Sequence, residues 1–362
     1  MRLSPTLVLA LGAIAVLWTL PMARAEQPAT VSFVPCGNDI LCDLSTCPGP
    51  WYVSVEAIWL KRSVGDSVFL GNNTNFVVAP SGVTTETLTT HDEPLNYRVG
   101  PRIILGCCLD DCTRFETSYA GLTHWSASRT ILGDPVTGTI LLNSPWLTID
   151  DPGIGLDTSL GFRYRAELHN VELNLLHDLA GGDCCRRAAL LGGFRYMNLD
   201  ERFHLTGVNT TPVFALETVG IHTRNNLVGV QVGGELSRRV RDDVTVELRG
   251  KAGLYVNFAR QGLSRQVTAD AGTATNLSGS DTGAALATSL DAGLFARLQL
   301  CNHIVLRGGY EVMVLSGLAL ASQQLQSNIQ PELIPNHLHD RGTAIFHGPS
   351  VGLEITWGGQ AP

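Results

Sequence analysis

Residues 245–258 read TVELRGKAGLYVNF, and the alternation inside that stretch decides the fold. Val246, Leu248, Gly250, Ala252, Leu254, Val256 and Phe258 are apolar or small, and they interleave with Thr245, Glu247, Arg249, Lys251, Gly253, Tyr255 and Asn257. The period is two residues rather than 3.6, which defines a strand with one uncharged and one charged face. Such a run is roughly twice the usual length of a strand in a globular protein. Long strands of this kind mark a barrel that crosses a membrane.

The pattern recurs along the chain. In residues 286–300 the even positions Leu290, Ala292, Leu294, Ala296 and Leu298 are apolar, against Ser289, Asp291, Arg297 and Gln299. Ile304, Leu306, Tyr310, Val312 and Val314 oppose His303, Arg307 and Glu311. Trp51, Val53, Val55, Ala57 and Trp59 oppose Tyr52, Ser54 and Glu56, and Val351, Leu353, Ile355 and Trp357 oppose Ser350, Glu354 and Thr356. Five further runs, 97–108, 113–126, 160–176, 187–205 and 225–238, bring the expected strand count to ten. Two runs change phase, near His169 or Asn170 and around Met197 and Asn198, and a β-bulge is expected at each. Residues 138–149 leave room for two more strands, which would make twelve.

Connections alternate in length. Residues 62–96, 127–159, 206–224, 259–285 and 315–346 are long, polar and rich in Gly, Ser, Thr, Asn and Pro, whereas 109–112, 177–186, 239–243 and 301–302 are short. Long loops at one end, tight turns at the other and an even strand count give an all-β, antiparallel, up-and-down outer-membrane barrel with extracellular loops and periplasmic turns. A soluble β-sandwich would also alternate, but its strands stay short and its turns recur every 8 to 12 residues or so. In lipid every backbone group must be paired within the protein, and a closed cylinder of strands does this without leaving an edge. Trp51, Trp59, Tyr97, Phe115, Trp125, Phe162, Phe258, Tyr310 and Trp357, near strand ends, are candidates for interfacial aromatic girdles.

Composition agrees. The 362 residues are 44% hydrophobic and only 16% charged, with 38 glycines, which fits neither an ordinary helical enzyme nor a disordered chain. Arg2, the apolar run 7–20 and Ala23-Arg24-Ala25 form a secretory signal pattern, so residues 1–25 are expected to be removed. Residues 26–50 then form a Cys-containing periplasmic segment, 51–357 the barrel and 358–362 a short tail. Removing the signal leaves 23 Lys and Arg against 33 Asp and Glu, a net charge of −10 that argues against nucleic acid as a partner.

All nine cysteines, Cys36, Cys42, Cys47, Cys107, Cys108, Cys112, Cys184, Cys185 and Cys301, fall on the periplasmic side of this topology. That compartment is oxidising, so disulfides joining the N-terminal segment to the turns are the favoured reading. Metal ligation is the weaker alternative, because there is no CxxC and no nearby histidine cluster. The odd count leaves at least one thiol outside an internal pair.

Gly348-Pro349-Ser350-Val351-Gly352 matches the nucleophile motif GxSxG, but that mechanism needs a helix after the Ser, and here a strand continues to Trp357. His337 and His339 form an isolated HxH in the last long loop, a weak metal signal. The charged faces carry more weight. Arg98, Arg102, Arg114, Arg163, Arg165, Arg195, Arg249, Lys251, Arg297 and Arg307 are expected to line the lumen with Glu56, Glu116, Glu167, Glu235, Glu247, Asp291, Glu311 and Glu354. Paired across strands they would support the wall; unpaired, the guanidinium groups would bias a pore toward anions. Ten strands imply a narrow bore, since open aqueous channels typically need about 16.

Several stretches resemble the BBP7 β-barrel porin family, formerly the DUF1551 domain, of planctomycete type. They include 51–56 (WYVSVE), 98–102 (RVGPR) with Leu105-Gly106, 193–201 (GFRYMNLDE), 223–233 (TRNNLVGVQVG), 250–253 (GKAG), Gly309-Tyr310-Glu311, and His347-Gly348 leading to Gly352-Leu353-Glu354. The resemblance implies an outer-membrane barrel and carries no catalytic residues. The function expected from these readings is a non-enzymatic, narrow porin-like channel for small polar solutes. The alternative is a non-conducting structural or adhesive barrel that displays its loops. Expected partners are outer-membrane lipid and the barrel-assembly machinery, and no cofactor or metal is expected.

Overall fold

The computed structural model describes residues 51–357, apart from 64, 66, 76–84, 111, 134–139, 148–157, 180–185, 211–213, 270–273, 302 and 329–336. Residues 1–50, which include the expected signal and N-terminal segments, the tail 358–362 and Cys36, Cys42, Cys47, Cys184 and Cys185 lie outside the described residues. In chain order the elements are β1 (Trp51–Arg62), β2 (Phe69–Asn75), β3 (Thr85–Thr89), β4 (Leu95–Cys108), β5 (Thr113–Leu132), β6 (Ile140–Asn143), β7 (Ser159–Asp178) and β8 (Arg186–Asn209). Then follow β9 (Ala215–Arg241), β10 (Val244–Ala269), β11 (Ala274–Cys301), β12 (Ile304–Leu318), helix α1 (Ala321–Asn328) and β13 (Gly342–Trp357).

Ten of the strands form one closed antiparallel barrel, and β1 closes it by pairing with both β13 and β4. The other three, β2, β3 and β6, make a separate three-stranded sheet. Residues 140–143 are therefore a strand, but of this small sheet, so the barrel count stays at ten.

Outward side chains locate the membrane. On β1 Trp51 and Trp59 are 53% and 37% exposed, with Val53, Val55 and Ala57 between them on the same face. That nine-residue span matches the roughly 9–11 residues a tilted strand needs to cross hydrocarbon. At its extracellular limit the outer wall carries polar-tipped rings bonded to neighbours. Tyr310 Oη lies 2.6 Å from His347 Nδ1, Tyr119 Oη lies 2.9 Å from His169 Nδ1, and Tyr196 donates to Asn226 Oδ1 at 3.0 Å. Trp and Tyr favour this depth because one end is apolar and the other wet.

Above that level the polarity of the wall inverts. On β7 Val171, Leu173 and Leu175 face lipid, but higher up Phe162, Tyr164, Ala166 and Leu168 are buried inside while Arg163 and Arg165 are exposed. On β8 Phe194 and Tyr196 point out below, and Met197, Leu199, Phe203 and Leu205 point in above. The pairing of β7 with β8 runs without a slip, as does that of β8 with β9. The expected bulges in β7 and β8 are thus absent: the phase change in the sequence is a change of solvent outside, from hydrocarbon to water. A mid-strand bulge lies instead on β5, where Gly121 and Leu122 oppose the single residue His169 and Leu122 takes φ 58°. It turns Trp125 inward, so Trp125 (1% exposed) and Phe162 (3% exposed) belong to the interior rather than to the girdles. The same inversion explains why much of 206–224 and 259–285, expected as loops, is strand: β9, β10 and β11 keep pairing far above the membrane.

This placement of the lipid face predicts that Leu254→Arg, on the outer face of β10 between Val246 and Phe258, destabilises the barrel by about 2–4 kcal/mol. Arg165→Leu, above the boundary, is expected to stay within about 0.5 kcal/mol of the parent. Denaturant unfolding in lipid vesicles checks both.

Candidate functional site

An even-numbered residue on β1 and an odd-numbered one on β10 share the inner face, and in that way the alternation brings distant charges together. In the membrane-level interior seven cations, Arg102, Arg114, Arg195, Arg249, Lys251, Arg297 and Arg307, each lie within 4 Å of a carboxylate. Glu56 accepts from Arg102 at 2.8 Å and from Arg307 at 2.6 Å, and Arg307 also reaches Glu247 at 3.0 Å. Arg249 lies 2.6 Å from Glu235 and 3.4 Å from Glu116, while Arg114 binds Glu235 at 2.9 Å and Glu116 at 3.1 Å. Arg297 binds Glu354 at 2.5 Å.

Several of these pairs cross the lumen rather than run along the wall. Arg102 on β4 meets Glu311 on β12 at 2.7 Å, Arg195 on β8 meets Asp291 on β11 at 2.8 Å, and Lys251 on β10 meets Glu172 on β7 at 2.7 Å. Tyr52 donates to Glu116 at 2.6 Å, and Gln231 donates to Glu172 and to Asn174. The ring of Phe295 lies 3.9 Å from the Arg307 guanidinium, within cation–π range. Two small cavities remain, about 100 Å³ on the extracellular side of the ionic layer and about 140 Å³ on the periplasmic side, and Glu116, Arg249 and Arg307 line both.

Above this ionic layer the interior is mainly apolar, with a few buried polar groups. Ile58, Leu60, Trp125, Tyr164, Leu199 and Phe346 form one buried cluster with Leu315, Leu320 and Leu325 from β12 and the segment after it. That segment is pinned by polar contacts at its start. Asn225 Oδ1 accepts from Ala319 N at 2.7 Å and its Nδ2 donates to Ala319 O at 2.9 Å; Ala321 N donates to Glu201 Oε2 at 2.8 Å. Glu201 also accepts from Tyr164 Oη at 2.7 Å and binds Arg62, and both Glu201 and Arg62 are fully buried. Arg62 lies 5.5 Å from the Tyr164 ring and 5.8 Å from Phe346. Over the mouth, Val68 and Leu70, Leu88 of β3 and Leu142 of β6 join the same cluster. Arg265 on β10 donates to Trp146 O at 2.9 Å from below.

Fourteen of the eighteen charges expected in the lumen have side chains turned inward, with exposure no greater than 27%. Four do not: Arg163 and Arg165 are exposed, Glu167 faces out between His124 (3.1 Å) and His169 (2.9 Å), and Arg98 is exposed near the top of β4. The first three sit above the inversion, where the charged face is the outer one. Sequence reasoning missed Glu172, although its outward neighbours Val171 and Leu173 marked it as inward. It also missed Arg62 and Glu201, for which no local signal exists.

Cys107 and Cys301 are free thiols, which corrects their expected pairing. Cys107 is registered between Trp51 and Phe115 on the lipid-facing side of β4, beside the periplasmic turn but on the outer face of the wall. Ser350 of the GxSxG match is buried in mid-strand on β13, opposite Ile58 and Gly309, with no elbow around it. His339 is tied by its backbone to Gln324.

A closed wall with a lipid-facing band and an ion-filled interior defines an outer-membrane β-barrel. Residues 78–357 match the family described as "Putative beta barrel porin-7 (BBP7)", and the chain belongs to it. Among solved structures it is similar to the outer membrane protease OmpT of Escherichia coli, at 11% identity over 86% of this chain and 97% of that one, with a TM-score of 0.41. It is also similar to the Pseudomonas putida toluene transporter TodX, at 9% identity over 88% and 92%, with a TM-score of 0.37. No curated protein matches the sequence.

Glu201→Gln removes the counter-charge of a fully buried arginine and is expected to cost about 3–5 kcal/mol, whereas the paired replacement Arg62→Met with Glu201→Leu costs less. Equilibrium unfolding of the two variants in vesicles gives the comparison.

Proposed function

We propose that this protein is a closed, non-conducting outer-membrane barrel whose role is structural: it anchors an ordered extracellular platform to the cell envelope. The observation that carries this reading is the filled interior. Each of the seven membrane-level cations has a carboxylate partner within 4 Å, so among the described residues no unpaired guanidinium ring is left at that level to attract anions. The apolar cluster and the small sheet then cover the extracellular mouth. The reading is of a non-enzyme, with outer-membrane lipid and the barrel-assembly machinery as its partners. Reconstituted full-length protein is expected to give no stepwise current in a planar bilayer. Discrete openings of the unmodified barrel would overturn the proposal.

A narrow channel for small polar solutes is the second reading. Two cavities stacked along the axis and meeting at Glu116, Arg249 and Arg307 favour it. Transport by that route requires both the ionic layer and the segment held by Asn225 and Glu201 to part.

The cysteines fit an anchoring role at the other face. We infer that the N-terminal cysteines Cys36, Cys42 and Cys47 form disulfides with the turn cysteines, Cys108 and Cys112 among them, in the oxidising periplasm. Non-reduced peptide mapping is expected to find Cys108 and Cys112 cross-linked and Cys107 open to alkylation. Alkylation of all three would remove the tether.

A further inference from the structure

The outer wall above the membrane boundary carries a positive patch on a chain whose formal net charge is −8. Cross-strand pairing lays it out as rows. The boundary row is His169, Asn198, Asn226 and Phe258 on β7 to β10. The next row up is Glu167, Asp200, Arg224 and Arg260, and above it come Arg165, Arg202, His222 and Gly262. The last row begins with Arg163, His204 and Gly220.

Five arginines thus face two carboxylates, and both carboxylates are already engaged. Asp200 is held by His222 at 2.9 Å and Arg224 at 3.0 Å, and Glu167 by its two histidines. Arg163, Arg165 and Arg260 are exposed and form no ion pair among the described residues. Beside them the wall is recessed. A groove of about 780 Å³ has Gly220, Gly262, Ser264 and Ser280 in its lining, with Arg202 and His204 at one side. A Cβ placed on Gly262 would meet nothing within 4 Å.

Height supplies the occupant. At roughly 3.3 Å per residue and a strand tilt of about 40°, the three arginine rows stand about 5, 10 and 15 Å above the boundary row. The lowest row falls within the polar headgroup layer, which reaches about 5–8 Å beyond the hydrocarbon, and the upper two continue outward from it, where a saccharide headgroup extends past that of a phospholipid. Arginine forks match phosphate oxygens, and serine hydroxyls beside open glycine backbone suit a sugar. We propose that this face binds the phosphate-bearing saccharide headgroup of an outer-leaflet glycolipid, whose acyl chains run down the apolar band on β7 to β10.

The test uses the full-length barrel in detergent and native mass spectrometry. The probes are a bisphosphorylated glucosamine-disaccharide lipid, its dephosphorylated form, phosphatidylglycerol and inorganic phosphate. The bisphosphorylated lipid is expected to be retained at least tenfold better than its dephosphorylated form or phosphatidylglycerol, and retention is expected to fall as salt rises. Combined Arg163→Ala, Arg165→Ala, Arg202→Ala and Arg260→Ala should lower retention about tenfold or more, while Arg238→Ala with Arg241→Ala at the periplasmic end leaves it unchanged. Equal retention of phosphatidylglycerol, displacement by millimolar inorganic phosphate, or an unaffected quadruple variant would each overturn the proposal. The comparison between lipids is made on the unmodified barrel, so it decides the matter even where the quadruple variant fails to fold.

Discussion

Hydrocarbon offers no hydrogen-bond partner, and everything else in this molecule follows from that. Each backbone N–H and C=O within the membrane has to meet another strand, and the chain meets the demand by bringing its first long strand against its last. β1 pairs with β13 from Trp51↔Trp357 upward and with β4 on its other side. Once the ring is closed the two faces of every strand have fixed destinations, and the sequence can place lipid-compatible side chains on one and ionic groups on the other.

Closure at ten strands also sets the size of the interior. A bore this narrow brings arginines and glutamates from strands three and four places apart into direct contact, as between Arg249 and Glu116 or Arg195 and Asp291. Burying such charges singly would be very costly, whereas pairing them with further hydrogen bonds offsets the loss of water. The extracellular half solves the same filling problem with Leu, Phe and Trp, because there the outer surface already meets water and the inside is free to be a hydrophobic core.

Much of this was legible. Period-two alternation located the ten barrel strands, their up-and-down order and most of the inward charges, because within the membrane the rule "uncharged outward" has no exception on β1 or β10. The rule fails where the environment changes while the strand does not. Residues 162–168 obey the opposite rule, so Arg163 and Arg165 read as interior charges and an unbroken strand reads as a bulged one. The mid-strand bulge, at Leu122, left no clear mark beyond a neighbouring glycine. Arg62, Glu201 and Asn225 were silent for another reason: their roles depend on the segment after β12 and on the small sheet, whose positions are set by tertiary packing and not by any local pattern.

The ion pairs that span the lumen have a mechanical consequence. A barrel held only by its hoop of backbone bonds can flatten into an ellipse under lateral pressure with little change in strand pairing. Links across the lumen between strands three places apart, such as Arg102 to Glu311 and Lys251 to Glu172, act as chords: flattening would have to stretch some of them and compress others. The cross-section is therefore stiff at the depth where bilayer stress is transmitted, and the outer platform sits on a round, unyielding base.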